Sequence, residues 1–381
     1  MIQGKTFKDK YYCSSPFNSI FIDTHGGVAS CCAGKYVYGN LKEATLEELV
    51  NSPTAKALRN NVSNGICDSY CSRCVREEDY AGHSQRNHFD GIDIDVSKDF
   101  ELKTLDLRWS SLCNFSCVYC DERFSSSWAK KKGLGLVKEN LDNQDSIFDF
   151  IEKQSSTIEK IMLAGGEPLL QMQNDKLLDI IPKETQITII SNLGLDLQKS
   201  NIFKKLSKMP NILWAISMEN IGEQFEYVRQ GGMWDRMLSN IKYIKENTYH
   251  DINFLSICNV LSLSQLHDFL LFADSREIRI PVMWQSIEGV DGVLHAENFS
   301  SNVKKYLIDK IENLPYLEKP QNLQIDYLKQ FVNKLKQPNK SEPIDLKFRE
   351  FVKNQESKYS THKKTFSELW PELDSIIQNN Q

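Results

Sequence analysis

The chain has 381 residues, 25% of them charged and 40% hydrophobic, with a formal net charge of −5, which suits a folded globular protein of two or three domains. Its Lys and Arg residues are scattered rather than banked, so the electrostatic footprint of a nucleic-acid binder is missing. No run approaches the roughly 18 consecutive apolar residues of a membrane span, and the opening MIQGKTFKDKYYC has no apolar signal core, so a cytoplasmic protein without membrane partners is expected.

Residues 1–98 read as a first domain and carry six of the ten cysteines, at 13, 31, 32, 67, 71 and 74. SIFIDTHGGVASCC predicts a hairpin turning at Gly26-Gly27. ATLEELVNSPTAKALRNNV predicts two short helices, the first opened by a Thr45/Glu48 capping box and the second by Ser52 before Pro53. Elements this small bury little apolar surface, and a metal centre would supply the missing cohesion. With no secretory signal, Cys-x2-Cys spacings read as metal ligands before disulfides.

HSQRNHFDGIDIDVSKDFE reads as a polar linker into a second domain, 99–300. Short apolar runs at 104–108, 160–164, 186–190, 212–217, 252–258 and 280–284 alternate with helical stretches, which predicts a parallel sheet of α/β class. Six such units can close into a partial (β/α)6 TIM-like barrel, with the functional rim at the C-terminal ends of the strands. CNFSCVYC begins just after the first strand and holds Cys113, Cys117 and Cys120; IMLAGGEPLL ends the second. Closed structural zinc sites and ferredoxin-type clusters take four protein ligands, so three thiolates leave one corner open for a ligand. Residues 301–381 are Lys- and Leu-rich and read as a helical C-terminal extension with no catalytic constellation.

Cys113, Cys117 and Cys120, with Tyr119 beside the last and Gly165-Gly166-Glu167-Pro168 following, closely resemble the radical S-adenosylmethionine (SAM) superfamily. The resemblance implies that the three cysteines hold a [4Fe-4S] cluster whose fourth iron chelates SAM, that the GGEP segment contacts the methionyl amino group, that Ser217 binds SAM and that Arg229 pairs with its carboxylate. Glu219 stands where many relatives carry Asp at the ribose, and SNLG at 191–194 resembles a Thr-Asn-Gly segment that would bring Asn192 to the site. Strand-end capping is the alternative role for each of these polar residues, and a zinc site recruiting a distant ligand is the alternative for the triad.

The first segment resembles the auxiliary-cluster domain called SPASM, or its shorter form, twitch, here placed ahead of the barrel rather than after it. The resemblance implies an auxiliary iron–sulfur cluster, most simply [4Fe-4S]. Cys13, Cys31, Cys71 and Cys74 fit its pattern best, through the Gly26-x4-Cys31 spacing, leaving Cys32 and Cys67 spare. The alternatives are an open site made by Cys67, Cys71 and Cys74, which repeat the spacing of the second triad, and zinc in place of the cluster.

The implied activity is reductive cleavage of SAM and hydrogen abstraction from a substrate, fed by an external one-electron reductant of flavodoxin or ferredoxin type. Peptide or protein modification is the favoured substrate class; a sugar or nucleotide substrate, a methyltransferase, and a metal-binding scaffold without catalysis are the alternatives. Cys258, on the fifth predicted barrel strand, is either a hydrogen-atom donor to a substrate radical or a small core residue. MWQSIEGV at 283–290 is expected near the substrate pocket, where Trp284 either contacts substrate or packs.

Overall fold

The computed structural model describes residues 11–34, 38–81, 84–89, 99–135, 141–284, 292–314, 325–339 and 341–379. The segment 285–290, and with it most of the expected substrate-pocket stretch, lies outside them, as does the side chain of Trp284. The chain divides into two compact units, one of residues 1–112, 137–189 and 200–212, the other of 113–136, 190–199 and 213–381.

The first unit is built on strands β1 (Ser19–Ile22), β2 (Gly27–Ala29), β3 (Gly39–Asn40), β4 (Thr104–Leu107), β5 (Lys160–Leu163) and most of β6 (Gln186–Ser191), in the order β3-β2-β1-β4-β5-β6. The expected hairpin is β1–β2, with Gly26 at φ 84 closing the turn, a conformation side chains with a Cβ seldom adopt. Its first strand pairs in parallel with β4, Ser19 opposite Thr104 through Ile22 opposite Leu107, so the sheet crosses the boundary expected near residue 98. Strand alternation alone carries no information about which distant strand a short hairpin joins.

β4, β5 and β6 follow one another in parallel, with Thr104 opposite Lys160 and Lys160 opposite Gln186. The helix Gln144–Gln154 crosses between β4 and β5 and buries Ile147, Phe148, Phe150 and Ile151. Trp109, fully buried, stacks on Phe148 at 5.0 Å and donates its ring N–H to Asn174 Oδ1 at 2.8 Å. Thr45 and Glu48 form the expected capping box of the helix Leu46–Val50, and Ser52 caps Pro53–Ser63. The stretch expected as a polar linker includes a turn, Gln85–Phe89, with Arg86 and Phe89 buried. Arg86 is neutralised there by Glu78, which removes most of the cost of burying its charge.

The second unit carries β7 (Ile212–Ser217), β8 (Asp251–Ile257) and β9 (Arg279–Trp284), parallel and in that order. The helices Trp234–Asn247 and Leu266–Ser275 make the crossovers, and Phe254 packs on Phe269 and Phe272. The C-terminal region is helical as expected: Ser301–Glu312, Ile325–Leu335, Asp345–Lys358 and Pro371–Gln378. An aromatic chain, Phe299–Phe348–Phe366–Trp370, with ring centroids 5.2 to 5.7 Å apart, welds it together. Trp370 then stacks edge-on against Tyr227 and donates to the Leu261 carbonyl, seating the extension on this unit.

Candidate functional site

In the second unit, the Cys113–Cys120 loop is held by its backbone from one side and by hydroxyls from the other. Ser116 N–H donates to the Gln230 carbonyl at 2.9 Å and Val118 N–H to the Val228 carbonyl at 2.8 Å. Ser127 Oγ donates to the Cys113 carbonyl, Ser125 Oγ to Phe115 and the Trp128 ring N–H to Cys117. Ser125 also caps the helix Ser126–Lys131, so one helix start braces the whole loop. Phe115, 1% exposed, fits between glycines: a Cβ on Gly194 would lie 2.4 Å from its ring, and Gly231, at φ 99, would meet the Asn114 carbonyl at 2.9 Å.

Asn192 reaches this loop from the end of β6, with Nδ2 2.9 Å from Asn114 Oδ1 and 3.6 Å from Cys113 Sγ. Burial pushes the Cys117 and Cys120 thiols up, and at Cys120 the neighbouring Cys117 and Cys113 add to the effect. Thiols crowded in this way ionise together only when a cation or cluster neutralises them.

Arg229 and Glu219 face the same loop. Arg229 Nη2 donates to Glu219 Oε2 at 2.6 Å, and the Arg229 guanidinium lies 5.4 Å from the Tyr119 ring centroid. Both charged side chains are buried, yet among the described residues Arg229 Nε and Glu219 Oε1 have no hydrogen-bond partner. An unpaired buried donor beside an unpaired buried acceptor is costly and suits an incoming zwitterion. Ser217, half-buried, is the last residue of β7. The sequence placed Ser217, Glu219, Arg229, Tyr119 and Asn192 in one site; Tyr119, Glu219 and Arg229 do meet, and Asn192 meets Cys113.

The GGEP segment belongs to the first unit. Gly165 has φ 116, and a Cβ there would lie 2.9 Å from the Ser110 carbonyl; one on Gly166 would lie 2.2 Å from the Leu112 carbonyl. Gly166 N–H donates to Ser110 and Glu167 N–H to Leu112. The glycines therefore let this turn press against the chain that leads into Cys113. Glu167, fully buried, accepts from Leu169 N–H ahead of the turn Pro168–Leu170.

The N-terminal cysteines separate by environment. Cys13, Cys31, Cys71 and Cys74 line one cavity, with Ser30, Tyr70 and Arg86 beside them. Burial raises the Cys13 thiol to about 12, with Cys31 and Cys74 contributing, and Cys71 is raised by burial and then by Cys13, Cys31 and Cys74. Cys32 is turned elsewhere, toward Asp106 and Arg108, and burial raises its thiol to about 12. Cys67 is exposed and does not line the cavity. Four thiols around one cavity fit the ligand count of an iron–sulfur cluster. Among the described residues no group of His, Cys, Asp or Glu converges as for a single ion; cluster thiolates bind separate irons.

Cys258 is buried at the end of β8, where burial, with Glu297 as a lesser contributor, raises its thiol to about 12. Sequence reasoning missed Tyr70 and Arg86 at the cysteine cavity. The signal for Tyr70 was its place one residue before Cys71; for Arg86 there was none.

Residues 107–269 match the model of the radical SAM superfamily, and residues 13–75 match that of the SPASM iron–sulfur cluster-binding domain. The chain is 28% identical over 140 residues to the 7-carboxy-7-deazaguanine synthase of Clostridium acetobutylicum, covering 35% of this chain and 59% of that protein. It is 24% identical over 234 residues to the probable GTP 3',8-cyclase of Methanococcus maripaludis, covering 56% of this chain and 75% of that one. Among solved structures it is similar to Streptococcus suis SuiB bound to its precursor peptide SuiA, with 15% identity over 71% of this chain and 52% of that one and a TM-score of 0.42. The chain is a member of the radical SAM enzyme superfamily with a SPASM iron–sulfur cluster-binding domain ahead of its radical SAM domain.

Proposed function

We propose that Cys113, Cys117 and Cys120 hold a [4Fe-4S] cluster with one iron open to SAM, and that Cys13, Cys31, Cys71 and Cys74 hold an auxiliary [4Fe-4S] cluster. The observation that carries the reading is the buried pair Arg229–Glu219 beside the triad loop, with Nε and Oε1 unpaired. Arg229 suits the SAM carboxylate and Glu219 the ammonium or ribose hydroxyls, each by a charge-assisted hydrogen bond. With SAM bound and one electron supplied by a flavodoxin- or ferredoxin-type reductant, the site provides a 5'-deoxyadenosyl radical that abstracts hydrogen from substrate. The residues of the chain bind and orient. Asn192 and the hydroxyls of Ser125 and Ser127 hold the cysteine loop, the Arg229–Glu219 pair orients the aminoacyl end, and Phe115 and Trp128 pack water out from behind the loop.

We infer a peptide or protein substrate, the class implied by the resemblance of the first segment to SPASM-type extensions, which the match at residues 13–75 supports. A nucleotide substrate is the second reading, favoured by the guanine-derived chemistry in the names of the two curated relatives. The test is anaerobic reconstitution with iron and sulfide, then 5'-deoxyadenosine release with dithionite, with GTP or a desalted peptide fraction added. Stimulation by peptides alone supports the first reading and stimulation by GTP the second. Iron without any SAM cleavage returns the protein to a scaffold, and S-adenosylhomocysteine in place of 5'-deoxyadenosine makes it a methyltransferase.

A further inference from the structure

Cys31 and Cys32 are adjacent, and either thiol could in principle complete a four-cysteine set, so the fold must choose between them. Tyr70 sits at the point of choice. Its hydroxyl accepts from the Cys31 N–H at 3.3 Å, donates to the Cys31 carbonyl at 3.0 Å and lies 3.8 Å from Cys31 Sγ. Ser30 Oγ donates to the same hydroxyl at 3.5 Å. One side chain therefore grips Cys31 at its backbone and its sulfur together.

Tyr70 is itself held. A Cβ on Gly34 would lie 2.0 Å from its ring, so the ring packs against a position only glycine leaves open. Asp68 Oδ1 accepts from Tyr70 N–H at 2.9 Å, and Asn61 steadies Asp68 through its other oxygen at 2.9 Å. Because Tyr70 precedes Cys71, it ties together two ligand-bearing stretches that are 40 residues apart in sequence. Cys32 instead faces Asp106, with Arg108 nearby.

Resting on the reading that Cys13, Cys31, Cys71 and Cys74 hold the auxiliary cluster, we propose that Tyr70 is its positioning residue: the hydroxyl selects Cys31 over Cys32 as ligand and hydrogen-bonds the bound sulfur, raising the cluster's reduction potential. The phenol has one proton, donated here to the Cys31 carbonyl at 3.0 Å; a ligating thiolate carries none, so with the cluster bound the same O–H turns to the sulfur 3.8 Å away or is shared with it. A hydrogen bond to a ligand sulfur favours the more electron-rich, reduced cluster.

The test uses the full-length chain with Cys113, Cys117 and Cys120 replaced by alanine, so that the auxiliary cluster is the one read, in a redox titration followed by electron paramagnetic resonance and iron analysis. Tyr70→Phe, which keeps the ring, is expected to shift the midpoint potential downward, and 2,3-difluorotyrosine at position 70, a stronger donor, to shift it upward. Cys32→Ala should leave iron and potential as they are. A potential unmoved by both changes at Tyr70 overturns the proposal, and the difluorotyrosine protein decides alone if Tyr70→Phe fails to load. Loss of iron in Cys32→Ala with retention in Cys31→Ala would overturn the ligand reading itself, and with it this proposal.

Discussion

Arg229 and Glu219 form an ion pair of 2.6 Å with side chains only 5% and 1% exposed, ten residues apart in sequence and on either side of the helix Gly222–Val228. Removing one partner of such a pair leaves an uncompensated buried charge, which costs about 3–5 kcal/mol. Arg229→Met should lower the unfolding free energy by about that much in urea. It should also weaken SAM binding roughly ten- to a hundredfold by calorimetry, the worth of one charge-assisted hydrogen bond. Unchanged SAM affinity in a folded variant would remove Arg229 from the SAM site.

Replacing Cys113, Cys117 and Cys120 by alanine should halve an iron content of about eight per chain and abolish 5'-deoxyadenosine formation. Full iron retention would show that the triad holds no cluster.

The first-unit cysteines separate into ligands and bystanders. Serine at Cys13, Cys71 or Cys74 should lower auxiliary iron sharply, whereas Cys67→Ser should leave it intact, because Cys67 is exposed and away from the cavity that the others line. Iron loss in Cys67→Ser would revive the open Cys67–Cys71–Cys74 site.

Cys258 lends itself to a pH experiment, being buried and remote in sequence from the proposed ligands. Its thiol is raised from 9.0 to about 12 by burial, so the folded state keeps a proton that the unfolded chain gives up above about pH 9. The native state then binds more protons than the unfolded one, and stability falls as pH rises. The associated stability is intact below about 9 and lost as pH climbs toward 12. Cys258→Ala should flatten that slope in denaturant titrations at pH 8 to about 10 while costing about 1 kcal/mol at neutral pH. An unchanged product in the same variant would end the idea that Cys258 donates hydrogen to a substrate radical.

Gly166→Ala would place a Cβ 2.2 Å from the Leu112 carbonyl, a backbone atom with nowhere to go. A destabilisation of about 1–3 kcal/mol is expected from such overpacking. Wild-type stability would mean that the GGEP turn does not press on residues 110–112 in solution.

Much of the fold was legible in the sequence because it is local. The parallel strands β4 to β6 in one unit and β7 to β9 in the other, the Gly26-Gly27 hairpin, the Thr45 capping box and the Ser52-Pro53 start all appear where periodicity, turn and cap chemistry place them. Polar character misled at 84–89, where Arg86 is buried against Glu78. A linker and a neutralised buried pair have the same composition, and only the partner distinguishes them.

What the sequence determined by itself was chemistry that depends on residue type at short spacing: three thiols on one loop, a Gly-Gly turn after a strand, a cysteine-rich segment ahead of both. What only the tertiary structure decided was pairing across long distances. Strand β1 joins β4, Arg229 meets Glu219, and Tyr70 grips Cys31 while Cys32 turns to Asp106. Adjacent identical thiols are indistinguishable in a sequence, and the backbone direction at residues 31 and 32, set by packing, sends one toward the cavity and the other away from it.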